Sequence, residues 1–169
     1  MGIFTPDVNT LRELYVEQLK KALNMERQIV EKGLPSMIEH STSPELANAF
    51  RTHLEESRQH VSRLEQILTE ADGEVSDSTC KVISALISEG GSAAGDAKDT
   101  TLRDVVLIAA GNQVEHHEIA VYGTLATWAD ILGEDSHVSL LEQTLEEEKN
   151  ADELLTSLSA QINVEAPVA

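Results

Sequence analysis

The feature that most constrains this chain is a set of carboxylates placed within the apolar faces of its predicted helices. Four long segments of the 169-residue sequence repeat apolar residues at helical spacing, and each apolar stripe is interrupted near its middle by at least one acid. An ionised carboxylate in an apolar interior is costly unless it is paired. Too few inward-facing Lys or Arg residues are available to pair these acids, so a fold that joins the four stripes is expected to need bound cations. The interrupting acids are Glu26, Glu56, Glu115, Glu118 and Glu148.

The helical segments run over about residues 10–40, 43–72, 101–132 and 136–162, and no window shows the alternation of a strand. Thr10 and Glu13 form a predicted capping box, and Pro35 is expected to kink or split the first helix. The longer connection at residues 74–100 contains a short predicted helix at 79–87 and a predicted loop at 89–92. Two helical hairpins joined by one long crossover have the connectivity of ferritin-like four-helix bundles. The prediction is an all-α single domain over residues 1–169, with the bundle at about 10–160 and a tail at 161–169.

An internal duplication relates the two predicted hairpins at a spacing of 92 residues. Each half places one acid, and about thirty residues later a second acid followed four positions on by another ligand type. A spacing of four keeps both side chains on one face of a helix. Two related hairpins that each supply such a set are typical of a dinuclear carboxylate site inside a four-helix bundle. The paired positions are Glu26 with Glu118, Glu56 with Glu148, and His60 with Asp152.

Other interpretations of the acids stay open at this point. Glu26 alone could lie at the edge of its stripe and extend to solvent. Acidic runs are usually solvated faces, and one residue of register shift on the fourth helix would turn Glu147 inward instead of Glu148. Glu115 and Glu118 are three residues apart and can both face inward, so either could be the metal ligand.

The histidines and one tyrosine near these acids allow two interpretations each. His60 is a metal-ligand candidate because of its spacing from Glu56, although a core histidine is the simpler interpretation. His53 is expected to be a packing or solvent-facing residue, with a supporting role beside Glu56 as the alternative. His116 and His117 are expected either at the surface or as groups that contact and support the metal ligands. Tyr122, one turn beyond Glu118, either fills core volume or donates to a ligand carboxylate.

Charge and cysteine content exclude several classes of protein. Lys and Arg number 12 against 30 Asp and Glu, a net charge of −18, which disfavours nucleic acid and anionic membrane surfaces as partners. The single cysteine, Cys80, allows no disulfide framework and no thiolate metal site. The first ten residues lack the basic and apolar regions of a signal peptide, and no apolar run approaches a membrane span. A cytoplasmic protein is expected, and its acidity is equally compatible with adaptation to salt.

Several stretches of the chain resemble the bacterial YciF/YciE-type stress proteins, and the YciF branch most closely. The similarity is carried by HLEESRQHVSRLEQIL (residues 53–68), LRDVVLIAAG (102–111), VEHHEIAVYGTLATWADILG (114–133) and LLEQTLEEEKNADELLTSL (140–158). It extends from about residue 11 to 158. The resemblance implies a ferritin-like fold related in architecture to rubrerythrins and manganese catalases, a homodimer, and a role in general, osmotic or envelope stress.

The resemblance also implies a set of metal ligands, and this chain departs from the family pattern at two positions. The rubrerythrin-like pattern carries over onto Glu26, Glu56, Glu115, Glu118 and Glu148. Many di-iron proteins have Glu-x-x-His where this chain has four residues from Glu56 to His60, and rubrerythrins place His where Asp152 stands. The implied site is richer in oxygen ligands than an efficient oxygen-activating centre, so redox catalysis is less well supported than metal binding.

The sequence therefore predicts a cytoplasmic, ferritin-like stress protein with a dinuclear iron or manganese site. In this hypothesis Glu56 and Glu148 bridge two ions, Glu26 and Glu118 (or Glu115) bind at the ends, and the set is completed by His60 and Asp152. Any catalysis would be peroxide reduction or disproportionation, or act on oxygen. The alternative hypothesis is a metal-free helical scaffold that mediates protein assembly under stress.

Overall fold

The computed structural model describes residues 8–168, and every regular element within that range is helical. This confirms the all-α prediction. The N-terminal stretch on which the absence of a signal peptide rests lies largely outside the described residues. The elements are α1 (Leu11–Gln28), a π-helical turn (Ile29–Gly33), α2 (Leu34–His40), α3 (Pro44–Asp72), α4 (Lys81–Asp96), α5 (Thr100–Leu132), α6 (Asp135–Ile162) and a final 3-10 turn (Asn163–Glu165).

Local sequence signals set the ends of the long helices. The Thr10 hydroxyl accepts a hydrogen bond from the Glu13 backbone N–H (3.2 Å), and the Glu13 carboxylate accepts one from the Thr10 backbone N–H (2.9 Å), so the predicted capping box is present. Ser43 caps α3 through the Leu46 backbone N–H. Gly73 and Gly133 end α3 and α5 with φ of +76°, a conformation in which a side chain would be strained.

Pro35 divides the first long helix as expected, although the chain stays helical throughout. Proline cannot donate a backbone hydrogen bond, and it lies at the start of α2 directly after the π-helical turn. The wider π turn takes up the irregularity, so α1 and α2 follow one another without a loop.

The predicted loop at residues 89–92 is wrong, because α4 runs through it to Asp96. Local propensity predicts a loop at the glycines there, but tertiary packing requires one of them inside the helix. A Cβ atom added at Gly90 would lie 2.9 Å from the Cβ of Ala110 on α5, closer than side chains pack. The close approach of α4 to α5 therefore explains a glycine within a helix.

The four long helical segments surround a common core. α5 packs along α6, α3 contacts both α1 and α6, and α1 contacts α5, so the contacts form a closed ring; α4 lies against α5, α1 and the π turn. Among the described residues no helix has the length and hydropathy needed to cross a membrane. Core side chains that are almost fully buried include Tyr15, Leu19, Phe50, Leu64, Ile67, Tyr122, Leu125, Leu141 and Leu155.

Candidate metal centre

Six acidic or imidazole side chains are buried together in the middle of this ring, and they come from four different helices. Each has no more than 5% of its surface exposed. Residues 53 and 60 lie on one face of α3, and residues 115 and 118 on one face of α5, because spacings of seven and three keep side chains on the same side of a helix. The six are Glu26 of α1, His53 and His60 of α3, Glu115 and Glu118 of α5, and Glu148 of α6.

The ligand atoms of these side chains fall into two groups that share one carboxylate. In the first group, His53, Glu115, Glu118 and Glu148 each offer an atom within 4.8 Å of the others. The second group, formed in the same way, consists of Glu26, His60 and Glu148. The atoms are imidazole nitrogens and carboxylate oxygens, which are the donors that iron and manganese accept in proteins.

The buried ligand atoms lack hydrogen bonds to an unusual degree. Among the described residues, nearly all buried side-chain N and O atoms without a hydrogen-bond partner belong to this cluster, the others being atoms of Ser57 and Arg103. Both oxygens of Glu118 and both of Glu148 are among them. Leaving such groups unpaired in a protein interior is costly, so this cluster is a place where an additional bonding partner is expected.

His60 is fixed by an outer carboxylate so that its other nitrogen faces the cluster. Its Nε2 lies 2.9 Å from an Oε of Glu147, and the Arg63 guanidinium donates to the same carboxylate at 3.0 Å. His60 Nδ1 lies 3.0 Å from Glu148 and 3.3 Å from Glu26. With the Nε2–H donated to Glu147 and no proton on Nδ1, the Nδ1 lone pair would be directed at the carboxylates, which is the usual arrangement of a metal-binding histidine.

His53 has a similar but looser arrangement. Its Nδ1 lies 3.4 Å from an Oε of Glu56, and its Nε2 lies 3.3 Å from Glu115 and 3.5 Å from Glu148. The Glu56 side chain is 41% exposed, so this outer carboxylate is in contact with solvent. His53 therefore also presents one nitrogen to the cluster and the other to a carboxylate.

Charges within the cluster shift the pKa values of the histidines strongly. Burial by itself lowers the pKa of His60, but its contacts with Glu148 and Glu26 outweigh burial and raise the pKa to about 11. Burial likewise lowers the pKa of His53, and the charge of Glu115 with the Glu56 contact raises it to about 9. Without a cation, both imidazoles are therefore protonated near neutral pH.

The pKa values of the carboxylates are shifted in opposite directions. Burial raises the pKa of both Glu115 and Glu118 well above the ordinary value, and the neighbouring negative charges add to this, although the charge of His53 lowers the pKa of Glu115 in part. Burial also raises the pKa of Glu148, but the His60 contact and the charge of His53 outweigh burial, so the pKa of Glu148 is lowered overall. Burial raises the pKa of Glu147 as well, and its bond to Arg63 brings it down to about 2. Bound protons on the two histidines, Glu115 and Glu118 therefore neutralise part of the negative charge of the cluster.

One tyrosine is directed at the same cluster. The Tyr122 hydroxyl, fully buried, donates a hydrogen bond to Glu26 Oε1. Burial, together with the charges of Glu26 and Glu148, raises its pKa well above the ordinary value. Tyr122 is therefore a neutral donor that orients the Glu26 carboxylate. This agrees with the interpretation from the sequence in which Tyr122 donates to a ligand carboxylate.

The structure brings five of the seven predicted ligands together, and the other two belong to neither group. Glu26, His60, Glu115, Glu118 and Glu148 lie in the cluster, so both acids of α5 face inward, as does Glu148 rather than Glu147. Glu56 lies at the surface side of His53. Asp152 accepts a hydrogen bond from Asn112 at 2.7 Å and lies 3.1 Å from the exposed His116. A role of Glu56 or Asp152 as a metal ligand stays a prediction from the sequence.

His53 is the member of the cluster for which the sequence favoured a packing or solvent-facing role. A signal for it was present, since it lies on the apolar stripe of α3 one turn before Glu56. His117 lies away from the cluster, half-buried with its Nε2 3.8 Å from Cys80 Sγ. Its contact is to the residue directly before α4 and not to the metal-ligand candidates.

Two pockets reach the cluster, and both do so at His53 and Glu115. The first, called here the apolar pocket, lies between the π turn, α2, α4 and α5. The second, the α3–α6 pocket, is lined by residues including Ala49, Glu56, Asn150 and Leu154. Neither is lined by Glu26 or His60. The end of the cluster formed by His53 and Glu115 therefore borders both pockets, whereas the end formed by Glu26 and His60 borders neither.

Comparison with known proteins gives consistent results over nearly the whole chain. Residues 10–166 match the family described as a domain of unknown function, DUF892. The chain is 34% identical to protein YciF of Escherichia coli strain K12 over 154 residues, which are 90% of this chain and 92% of that protein.

Two solved structures are similar in both sequence and fold. The crystal structure of the E. coli stress protein YciF has a TM-score of 0.88 at 32% identity, over 94% of this chain and all (100%) of that one. A protein from Rhodopseudomonas palustris, YcfI, described as a candidate structural protein, has a TM-score of 0.87 at 37% identity, over 91% of this chain and 98% of that one. The helical arrangement described above is therefore shared with these proteins.

Proposed function

The chain belongs to the DUF892 family and is a YciF-like protein, and from that premise we propose that it is a ferritin-like stress-response protein holding a dinuclear, carboxylate-bridged site for iron or manganese. The ring of contacts among α1, α3, α5 and α6 supports the ferritin-like four-helix bundle. The proposal, following the sequence resemblance, includes a cytoplasmic location and a homodimer. The observation that carries it is the set of buried, unpaired ligand atoms contributed by four helices.

The residues present fit a pair of ions. His53, Glu115 and Glu118 would bind one ion, Glu26 and His60 the other, and Glu148, common to both groups, would bridge them. Each histidine already presents a nitrogen to the carboxylates while an outer acid contacts its other nitrogen. This is the arrangement expected for a site ordered in advance of metal binding.

The chain's own groups leave the His53 end of the cluster accessible to small molecules. Bound iron or manganese would supply a Lewis acid and a redox centre that can act on peroxide or oxygen. Tyr122 holds Glu26 and excludes water from the opposite end, since both side chains are fully buried. His53 and Glu115 line both pockets, so a small molecule would reach the centre at these two side chains.

Metal content of the untagged protein tests this proposal. After growth with iron and manganese available, elemental mass spectrometry is expected to find about two ions per chain, as the two ligand groups imply. Glu148→Ala should lose both ions, because that carboxylate belongs to both groups. Glu146→Ala is the matched control, since Glu146 lies two positions away with its side chain 68% exposed.

A metal-free scaffold is the second candidate function, and two observations favour it. The R. palustris relative is described as a candidate structural protein. The raised pKa of Glu115 and of Glu118, caused by burial, also means that protons can neutralise part of the cluster without metal. A folded protein that stays empty after reconstitution with Fe²⁺ and with Mn²⁺ would overturn the dinuclear site in favour of the scaffold.

A further inference from the structure

The apolar pocket is a distinct feature beside the metal centre. Its walls come from Ile29 and Gly33 of the π turn, from Met37 of α2, and from Ile87 of α4, with Val114 on α5. The cavity volume is about 40 Å³, and the wider space between the lining side chains, which includes the part open to solvent, is about 600 Å³. A largely apolar pocket of this kind, next to a few polar groups, is the usual form of a small-molecule site.

The two ends of the pocket differ in chemistry. Exposed residues, among them His40 and Gly91, lie at one end. The buried end is formed by His53 and Glu115, which are 5% and 3% exposed. His53 Nε2 and Glu115 Oε2 have no hydrogen-bond partner. A molecule entering the pocket would therefore meet apolar walls first and two polar atoms at the end.

Two irregular backbone features leave room for the pocket. The π turn widens the helix between α1 and α2, and such turns are frequent at functional sites. The glycines of α4, expected from the sequence to form a loop, instead line the pocket wall. A Cβ atom added at Gly91 would meet nothing within 4 Å, so this position borders open space.

Charge restricts the ligand that could occupy this space. In the part of the chain that the structure describes, no Lys or Arg lines the pocket. Four buried carboxylates lie at or near its polar end, and the chain carries a net charge of −18. An anionic end group would meet these four carboxylates with His53 as the imidazole at that end to pair with, so an uncharged ligand is favoured.

We propose that the apolar pocket binds an uncharged aliphatic molecule with a terminal O–H group, the chain lying along the π turn and α4 and the O–H group reaching His53 and Glu115. Binding itself does not require metal. If the dinuclear site is also present, aliphatic hydroperoxides are the substrate class, and this clause alone rests on the proposed function.

Straight-chain alcohols from ethanol to 1-octanol are suitable probes because they carry the O–H group and do not react. Their dissociation constants are to be measured by ligand-detected NMR titration on the metal-free protein and on the Mn²⁺-loaded protein. Affinity is expected to increase roughly threefold to fourfold with each added methylene until the chain fills the pocket, since each buried methylene contributes a similar transfer free energy.

Two glycines of α4 provide matched variants. At both Gly91 and Gly95 an added Cβ would meet nothing within 4 Å, but only Gly91 lines the pocket. Gly91→Leu is expected to weaken 1-hexanol binding at least tenfold, while Gly95→Leu leaves it unchanged. Met37→Trp, at a partly buried lining position on α2, is a second way to fill the pocket if Gly91→Leu does not fold.

The outcomes separate this proposal from the metal centre. Chain-length-dependent binding that is lost in Gly91→Leu supports the pocket, even in a protein that takes up no metal. Affinity that does not depend on chain length, or that changes equally in Gly91→Leu and Gly95→Leu, overturns the pocket even when two ions per chain are present.

Discussion

His53 and His60 face the same buried carboxylates from one helix, but their surroundings differ. On the His60 side, Glu147 and Arg63 fix the outer nitrogen, and the histidine is fully buried. On the His53 side, the outer partner is Glu56, which is 41% exposed and lies 3.4 Å from His53 Nδ1. Two pockets are lined in part by the His53 side chain. One side is therefore enclosed and rigidly supported, while the other is accessible from the surface.

The difference indicates a division of roles within one cluster. Charge-assisted hydrogen bonds such as those of the half-buried Glu147 hold a ligand in one orientation. An outer partner in contact with solvent holds its histidine less firmly, because water competes for the carboxylate. The His60 side is thus suited to retaining an ion, and the His53 side to exchanging an ion or meeting a small molecule.

The largest expected effect is the pH dependence of the metal-free protein. Both histidines have folded pKa values, about 9 for His53 and about 11 for His60, above the ordinary 6.5, because carboxylate contacts outweigh burial. Their stabilising contribution is complete below pH 6.5 and is lost as pH increases through those values. Metal-free protein should lose on the order of 6 kcal/mol of unfolding free energy between pH 7 and pH 10.

Denaturant unfolding at several pH values measures this loss, and NMR of the histidine rings should show His53 losing its proton before His60. Protein loaded with Mn²⁺ provides the contrast, because metal binding requires deprotonated ligands and therefore strengthens with pH. Stability of the metal-free protein that stays constant up to pH 10, or reversed titration order, would contradict the difference between the two sides.

The next largest effect is expected from the outer carboxylate of the enclosed side. Glu147→Ala removes the group that orients His60 and takes the carboxylate partner from Arg63, which keeps its hydrogen bond to Thr144. Metal affinity should fall about 10-fold to 100-fold, the usual cost of losing such a partner. Competition with a chelator measures it, with the exposed Glu146→Ala as the control. Equal affinities in the two variants would mean that His60 needs no outer support.

Removal of one hydroxyl on the enclosed side is expected to have a smaller effect. Tyr122→Phe deletes the hydrogen bond to Glu26 and should lower the unfolding free energy by about 1 kcal/mol. Tyr15→Phe is the control, since Tyr15 is equally buried but contacts His137 at 3.2 Å, outside the cluster. Both variants should lose stability, and only Tyr122→Phe should also weaken metal binding. Weaker metal binding in both would indicate a general loss of stability.

The fold was largely predictable because its signals are local. Periodicity, the Thr10 capping box and the glycines after α3 and α5 act within one or two helical turns, and the predicted helices agree with the structure except within the long crossover. There, Gly90 and Gly91 indicated a loop on propensity alone. Their helical conformation depends on packing against Ala110, a contact between residues far apart in the sequence.

The cluster could be predicted in part for the same reason. Glu26, Glu118 and Glu148 interrupt apolar stripes, and a stripe is a local feature. The 92-residue duplication then added Glu56 as the equivalent of Glu148, but the structure buries only Glu148 and turns His53 inward on α3. Helical spacing gives the angle of a side chain around its own helix, while its depth depends on the neighbouring helices, which the sequence pattern does not specify.

Glu56 allows the sharpest test of the accessible side, and the smallest effect is expected there. As an outer partner of His53, its carboxylate can be replaced by an amide whose oxygen still accepts the Nδ1–H. Glu56→Gln should therefore weaken metal binding about threefold, less than the range for loss of an outer partner, and leave about two ions per chain. A bridging ligand would behave differently, since an amide cannot bridge two cations as a carboxylate does. Glu55→Gln, on the neighbouring residue with its side chain 69% exposed, is the control. Loss of one or both ions only in Glu56→Gln would show that Glu56 turns inward on metal binding, as the duplication in the sequence predicts.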